Sequence, residues 1–349
     1  MPRTLLLHIG FHKCGSTTLQ HYLAAHRDAL EAQGVFYVKS GADAPGFKTH
    51  LKLAPSQSGH ADLWRGVCQE VLAAPEDSVS VLSFEGLNRF DAATYRELLG
   101  PLFDAGVTVR ILAYVRDHFS AIASNFVQSA KKGKKQDLTR FFEQETLKGN
   151  FFVAPKYADF SEVFGEENVA FRIFDRRRLY GNDIVRDVLM LLSWLRGQVI
   201  EKQPFQNQNV SIGVKTLAMV TELSMRLRQT GLIEDRRLAR ANARLVDEVG
   251  ATLTGLFNDD PKLTIPADMV EPIMDTYFDD AAAFDRLIRS RGYFRRAMLN
   301  YKPRHETLRL RPKDVMDSHE LNQARAVIES TLLVAGAARE HALSPHSAD

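Results

Sequence analysis

The sequence predicts an α/β protein with a three-layer fold, a central parallel sheet flanked by helices, and a helical C-terminal part. Three observations carry that prediction. Short β-rich runs alternate with stretches of helical periodicity through residue 195, which implies parallel βαβ units with a site at the strands' carboxyl ends. The first strand feeds a glycine-framed turn that opens a helix. After about residue 196 no convincing strand follows, and "VKTLAMVTELSMRLRQ", "RLARANARLVDEVGATLTGLF" and "PADMVEPIMDTYFDDAAAFDRLI" all carry helical periodicity.

Taken in order, residues 4–10 read as a buried strand and 16–32 as its helix, ended near Gly34. A short strand is expected over 35–39. Residues 40–59, rich in Gly, Pro, Ser, Lys and His, read as a loop. A helix over 61–74 stops at Pro75, and a strand over 78–84 ends in Glu85-Gly86. A helix with a proline interruption covers 92–106. The strand over 107–115 terminates in Arg116-Asp117, and an amphipathic helix over 118–130 takes Asp117 as its N-cap. A further strand (169–175) and helix (182–195) complete the set. The expected division is an α/β core over 1–195, a helical extension packed on it over 196–343, and a frayed tail over 344–349.

Composition is that of an ordinary globular protein, 45% hydrophobic and 25% charged. A net charge of +2 does not suggest a nucleic-acid binder. Two cysteines, Cys14 and Cys68, support no disulfide framework, and no run approaches the roughly 20 apolar residues of a membrane span. The expectation is a cytoplasmic protein. Basic residues cluster in "KKGKK" (131–135), "DRRRL" (175–179) and "RLIRSRGYFRR" (286–296). Each reads singly as a solvated loop or helix face; together they would rim a site for anions.

In "LLLHIGFHKCGSTTLQHYL" (5–23), Gly15 is followed by three hydroxyls, Ser16, Thr17 and Thr18. A strand, a glycine turn and a helix N-terminus make a phosphate cradle, because backbone N–H groups and the positive helix end face the anion. The turn is P-loop-like, but the ATPase lysine follows the second glycine, whereas here Ser16 stands at that position and Lys13 lies two residues before Gly15. Other strand ends carry Glu85 after "VLSF" and Arg116 after "ILAYV", with Ser124 eight residues beyond Arg116.

"HKCGSTTLQ" and "YVRDHFSAIAS" together resemble the sulfotransferases that use 3′-phosphoadenylyl sulfate (PAPS), most nearly the bacterial and carbohydrate-type members. Looser likeness continues through "LYGNDIVRDVLMLL" and "NQNVSIG" (207–213). The resemblance implies that Gly15, Ser16, Thr17 and Thr18 hold the 5′-phosphate and that Lys13 reaches the bridging oxygen of the leaving group. Arg116 would grip the 3′-phosphate, with Ser124 adding a hydrogen bond. No metal is implied, because lysine and backbone suffice for a nucleotide with separated phosphates. PAPS is the co-substrate and 3′,5′-adenosine bisphosphate (PAP) the product. The acceptor would be a hydroxyl on a carbohydrate or glycolipid, with a small alcohol or phenol as the alternative.

For the acceptor's base the family likeness favours Glu85, and His50 in "KTHLKLA" is the second candidate because histidine titrates near neutrality. His12 and His118 flank the motifs as shape-filling or phosphate-facing groups. Cys14 is a small spacer or a thiol activated by the helix N-terminus. Two rival readings remain open: a P-loop kinase-type phosphotransferase, against which the displaced lysine stands, and a non-catalytic nucleotide-binding protein.

Overall fold

The computed structural model describes residues 2–11, 13–42, 50–53, 60–86, 90–133, 137–205, 212–229 and 236–343. His12, Lys134 and Lys135 of the first basic cluster, residues 207–211 of "NQNVSIG" and the 344–349 tail lie outside the described residues.

Five strands, β1 (Thr4–His8), β2 (Val35–Tyr37), β3 (Val79–Ser83), β4 (Thr108–Val115) and β5 (Val169–Ile173), form one sheet in the order β2-β3-β1-β4-β5. Every pairing is parallel; His8 stands opposite Ser83 on one side and Leu112 on the other. The residues of β1, β3 and most of β4 are buried, as both faces of a parallel sheet must be when helices cover them.

Helices α1 (Ser16–Ala25) and α2 (Arg27–Glu31) follow β1, α3 (His60–Ala73) follows β2, and α4 (Ala92–Leu98) and α5 (Gly100–Asp104) follow β3. The single helix expected over 16–32 is broken at His26, and the one over 92–106 restarts at Gly100, with Pro101 in the first turn of α5 where it loses no hydrogen bond. α6 (His118–Lys131) follows β4. Two further helices, α7 (Leu138–Leu147) and α8 (Ala154–Phe164), precede β5 where sequence reasoning placed none, and α9 (Ile184–Arg196) follows it. Leu19, Leu23, Val188 and Leu192 of α1 and α9 cover one face of the sheet with Leu6, Val81, Leu112 and Tyr114. An aromatic chain of Trp64, Tyr95, Phe160 and Phe171 packs edge-on or tilted, with centroids 5.7–6.5 Å apart, beneath α3, α4 and α8.

After β5 the described residues hold α10 (Val214–Gln229), α11 (Arg236–Leu256), α12 (Val270–Leu287), α13 (Tyr293–Leu299), α14 (Pro312–Val315) and α15 (Ser318–Leu343), and no strand. The chain folds into two compact units that interleave along the sequence. The first comprises Met1–His118, Phe152–Asn209 and Tyr277–Asn300, and holds the whole sheet. The second comprises Phe119–Phe151, Val210–Thr276 and Tyr301–Asp349, with a core of Leu223, Leu227, Val249, Leu253, Ala324 and Ile328 from α10, α11 and α15. The last strand, β5, ends at Ile173, and among the described residues after 196 there is no strand; residues 277–300 belong to the first unit. Among the described residues no helix is long and apolar enough to cross a membrane.

Candidate active site

The strand order decides where the chemistry gathers. Since β1 lies between β3 and β4, the carboxyl ends of three adjacent strands present Glu85, the Lys13–Thr18 turn and Arg116 side by side. The order also reverses between β1 and β4, the crevice in which open parallel sheets bind ligands.

Gly15 caps α1 at φ 78°, ψ 7°, the left-handed conformation that glycine adopts without strain. A Cβ there would lie 2.9 Å from Ile184 Cδ1 and from Phe174 Cε2, so the turn is seated against the end of β5 and the start of α9. No side chain caps α1, which leaves its first backbone N–H groups facing the turn. Thr17 and Lys13 are exposed, and Lys13 itself sits at φ 65°, a strained value for a residue with a side chain. The Ser16 hydroxyl is buried and has no hydrogen-bond partner among the described residues. An anion on the turn would satisfy it, so the residues present fit a bound phosphate.

Gly10 keeps the floor of the turn open. A Cβ at that position would meet Ser16 Oγ at 2.5 Å, His8 Cε1 at 3.3 Å and Glu85 Cγ at 3.5 Å. Those three groups therefore converge on one point beneath the loop. Arg116 is half-buried, with its guanidinium over the Phe174 ring 5.0 Å from the centroid, an arrangement that orients the fork. Ser124 belongs to the second unit and is half-buried on α6.

The two proposed bases differ in surroundings. Glu85 is half-buried at the end of β3. His50 is fully buried, its Nε2 2.8 Å from the Val38 carbonyl and its Nδ1 3.0 Å from the Ser83 carbonyl and 3.3 Å from the Ser83 N–H. Burial pushes its pKa down, so the ring is neutral at pH 7. Nε2–H then donates to Val38 and Nδ1 accepts from Ser83 N–H. Both nitrogens are occupied in holding backbone. His118 is likewise buried, 3.0 Å from the Asp280 carboxylate and stacked on Tyr277. Asp280 also accepts from the backbone N–H groups of Val153 and Ala154. Burial pushes the Cys14 thiol up to about 12, with the nearby Arg116 charge opposing weakly, so the thiol is not ionised and acts as a spacer.

Sequence reasoning missed His8, Ser83 and Gln20. Gln20 donates to Ser83 Oγ at 3.2 Å, and that oxygen lies 2.7 Å from His8 Nδ1. The signal was present as a histidine and a serine in matching positions of two apolar strands. His8 Nε2 has no partner among the described residues, and burial, only partly opposed by Glu85, pushes its pKa down to about 4. The sign follows directly: the unfolded histidine binds a proton near pH 6.5, the folded one only near pH 4. Stability should therefore be full above pH 6.5 and fall between there and pH 4, by roughly 3 kcal/mol from His8. Urea unfolding at pH 7.5 and 4.5 reads this; a His8→Asn variant should flatten the slope, and an unchanged slope would remove His8 as its source.

Among the described residues no group of three or more His, Cys, Asp or Glu side chains could hold a metal. Fold and site together define a parallel α/β protein with a glycine turn at its switch point, flanked by a carboxylate and an arginine. In fold the chain is similar to a sulfotransferase from Alicyclobacillus acidocaldarius, at 13% identity and a TM-score of 0.42, over 83% of this chain and 96% of that one. It is also similar to retinol dehydratase in complex with androsterone and the inactive cofactor PAP, at 12% identity and a TM-score of 0.28, over 95% of this chain and 81% of that one. No family model matches the chain, and no curated protein matches it in sequence.

Proposed function

We propose that the chain is a sulfotransferase that moves a sulfuryl group from PAPS to a hydroxyl acceptor. The observation that carries this reading is the β3-β1-β4 adjacency, which aligns Glu85, a phosphate turn with lysine ahead of its glycine, and Arg116. The N–H groups of Ser16, Thr17 and Thr18, together with the Ser16 and Thr18 hydroxyls, receive the 5′-phosphate. Lys13 stabilises the negative charge that develops on the leaving oxygen, where a positioned cation favours the transition state over the ground state. Arg116 takes the 3′-phosphate, with Ser124 as its helper. Glu85 accepts the acceptor's proton, while the doubly bonded His50 ring supports its assignment as a structural tie. A carbohydrate or glycolipid hydroxyl is the proposed acceptor class.

Calorimetric titration with PAP in EDTA tests the reading: binding should occur without metal and exceed that of ATP with Mg²⁺. Arg116→Ala should cost about 1.5–3 kcal/mol of PAP affinity, the worth of a charged hydrogen-bonded contact. Binding that required Mg²⁺, or that favoured ATP, would shift the chain to the kinase-type reading.

A further inference from the structure

The last basic cluster of the sequence forms a cavity of about 430 Å³ at the junction of α12 and α13, lined by Ala282, Asp285, Arg286, Arg289, Arg291, Gly292 and Arg295. Four of these seven residues are arginines, and all four are exposed. Among the described residues none of their guanidinium groups forms an ion pair. The one carboxylate in the cavity wall forms no ion pair with them, and one negative charge faces four positive ones. Asp285 instead accepts from the Ser290 hydroxyl and from the backbone N–H groups of Phe294 and Arg295, both at 2.9 Å. Glu166 and Glu167 line the adjoining cavity beside Arg289, without pairing with it.

The backbone is bent to bring these charges together. Arg289 and Arg291 lie at φ 53° and φ 60°, left-handed values that residues with a side chain adopt at a cost. Asp285 fixes that turn through its three bonds. Like charges gathered around one hollow repel unless a counter-charge enters. A guanidinium fork matches the oxygens of phosphate or sulfate in a bidentate manner, and several forks match more than one such group. A volume of this order suits a small molecule.

We infer that this cavity binds a small ligand carrying two or more phosphate or sulfate groups, at a site separate from the Gly15 turn. Inorganic pyrophosphate is the probe, titrated calorimetrically at 150 mM salt with PAP present at saturation. The wild-type protein should bind one pyrophosphate under these conditions. Arg286→Gln/Arg295→Gln, which keeps good helix formers on α12 and α13, should weaken that binding at least tenfold while PAP affinity stays unchanged. Should the double variant fail to fold by circular dichroism, Arg295→Gln alone gives the same comparison. The inference is overturned if wild type binds no pyrophosphate, if the variant binds it as well as wild type, or if PAP displaces it. Absence of PAP binding would instead strike the sulfotransferase reading, and the arginine variants would still report on this cavity.

Discussion

Replacing Glu85 by glutamine should slow sulfuryl transfer by roughly 10²–10⁴, the range for loss of a general base, while PAP binding stays intact. The carboxylate follows β3 directly, beside the turn that β1 presents, and its Cγ borders the open space at Gly10. Its penalty should shrink with acidic acceptors such as phenols, which lose their proton with less help. Lys13→Ala should behave differently, lowering the rate about 10²–10³ for every acceptor, because the leaving oxygen belongs to the donor in all cases. His50→Gln should lower stability and leave the turnover of the folded protein near that of wild type, since both ring nitrogens already serve backbone groups. Rates measured across acceptors of graded acidity decide the matter. An acidity-dependent loss that followed His50 rather than Glu85 would transfer the base to the histidine.

Asp187→Ala should destabilise the protein by about 3–5 kcal/mol, as expected when one partner of a buried ion pair is removed. Asp187 is fully buried in α9 and accepts from Arg172 Nε and Nη2, both at 2.8 Å, from the Tyr114 hydroxyl at 2.6 Å and from the Tyr180 N–H at 2.9 Å. One carboxylate thus ties β4, β5 and α9 together beneath the turn. Its loss leaves the partly buried Arg172 charge and the Tyr114 hydroxyl without their acceptor, which is the source of the penalty. Arg172→Met combined with Asp187→Leu should recover much of the loss, because no charge is then left alone. Urea unfolding of the three proteins tests this; an Asp187→Ala variant within about 1 kcal/mol of wild type would show that the network contributes little.

The sequence by itself determined the strands, the turn between β1 and α1, and the change to an all-helical pattern after β5. Those features are local: apolar periodicity, a glycine that accepts a left-handed conformation, and turn chemistry act within a few residues. It did not announce α7 or α8, whose stretches combine buried aromatics (Phe141, Phe142, Tyr157 and Phe160) with many charged neighbours and so give a weak pattern. The tertiary structure alone decided that β1 runs between β3 and β4, since parallel pairing joins residues some 75 to 104 positions apart, as at Thr4, Val79 and Thr108. That order turns three separate strand ends into one edge. It also withdrew His50 from solvent: a histidine in a polar loop reads as exposed, yet the Val38 carbonyl and the Ser83 N–H, distant in sequence, bind its two ring nitrogens in a buried position. Long-range pairing and burial fix which groups face the crevice, and neither is encoded in the local pattern that defines each element.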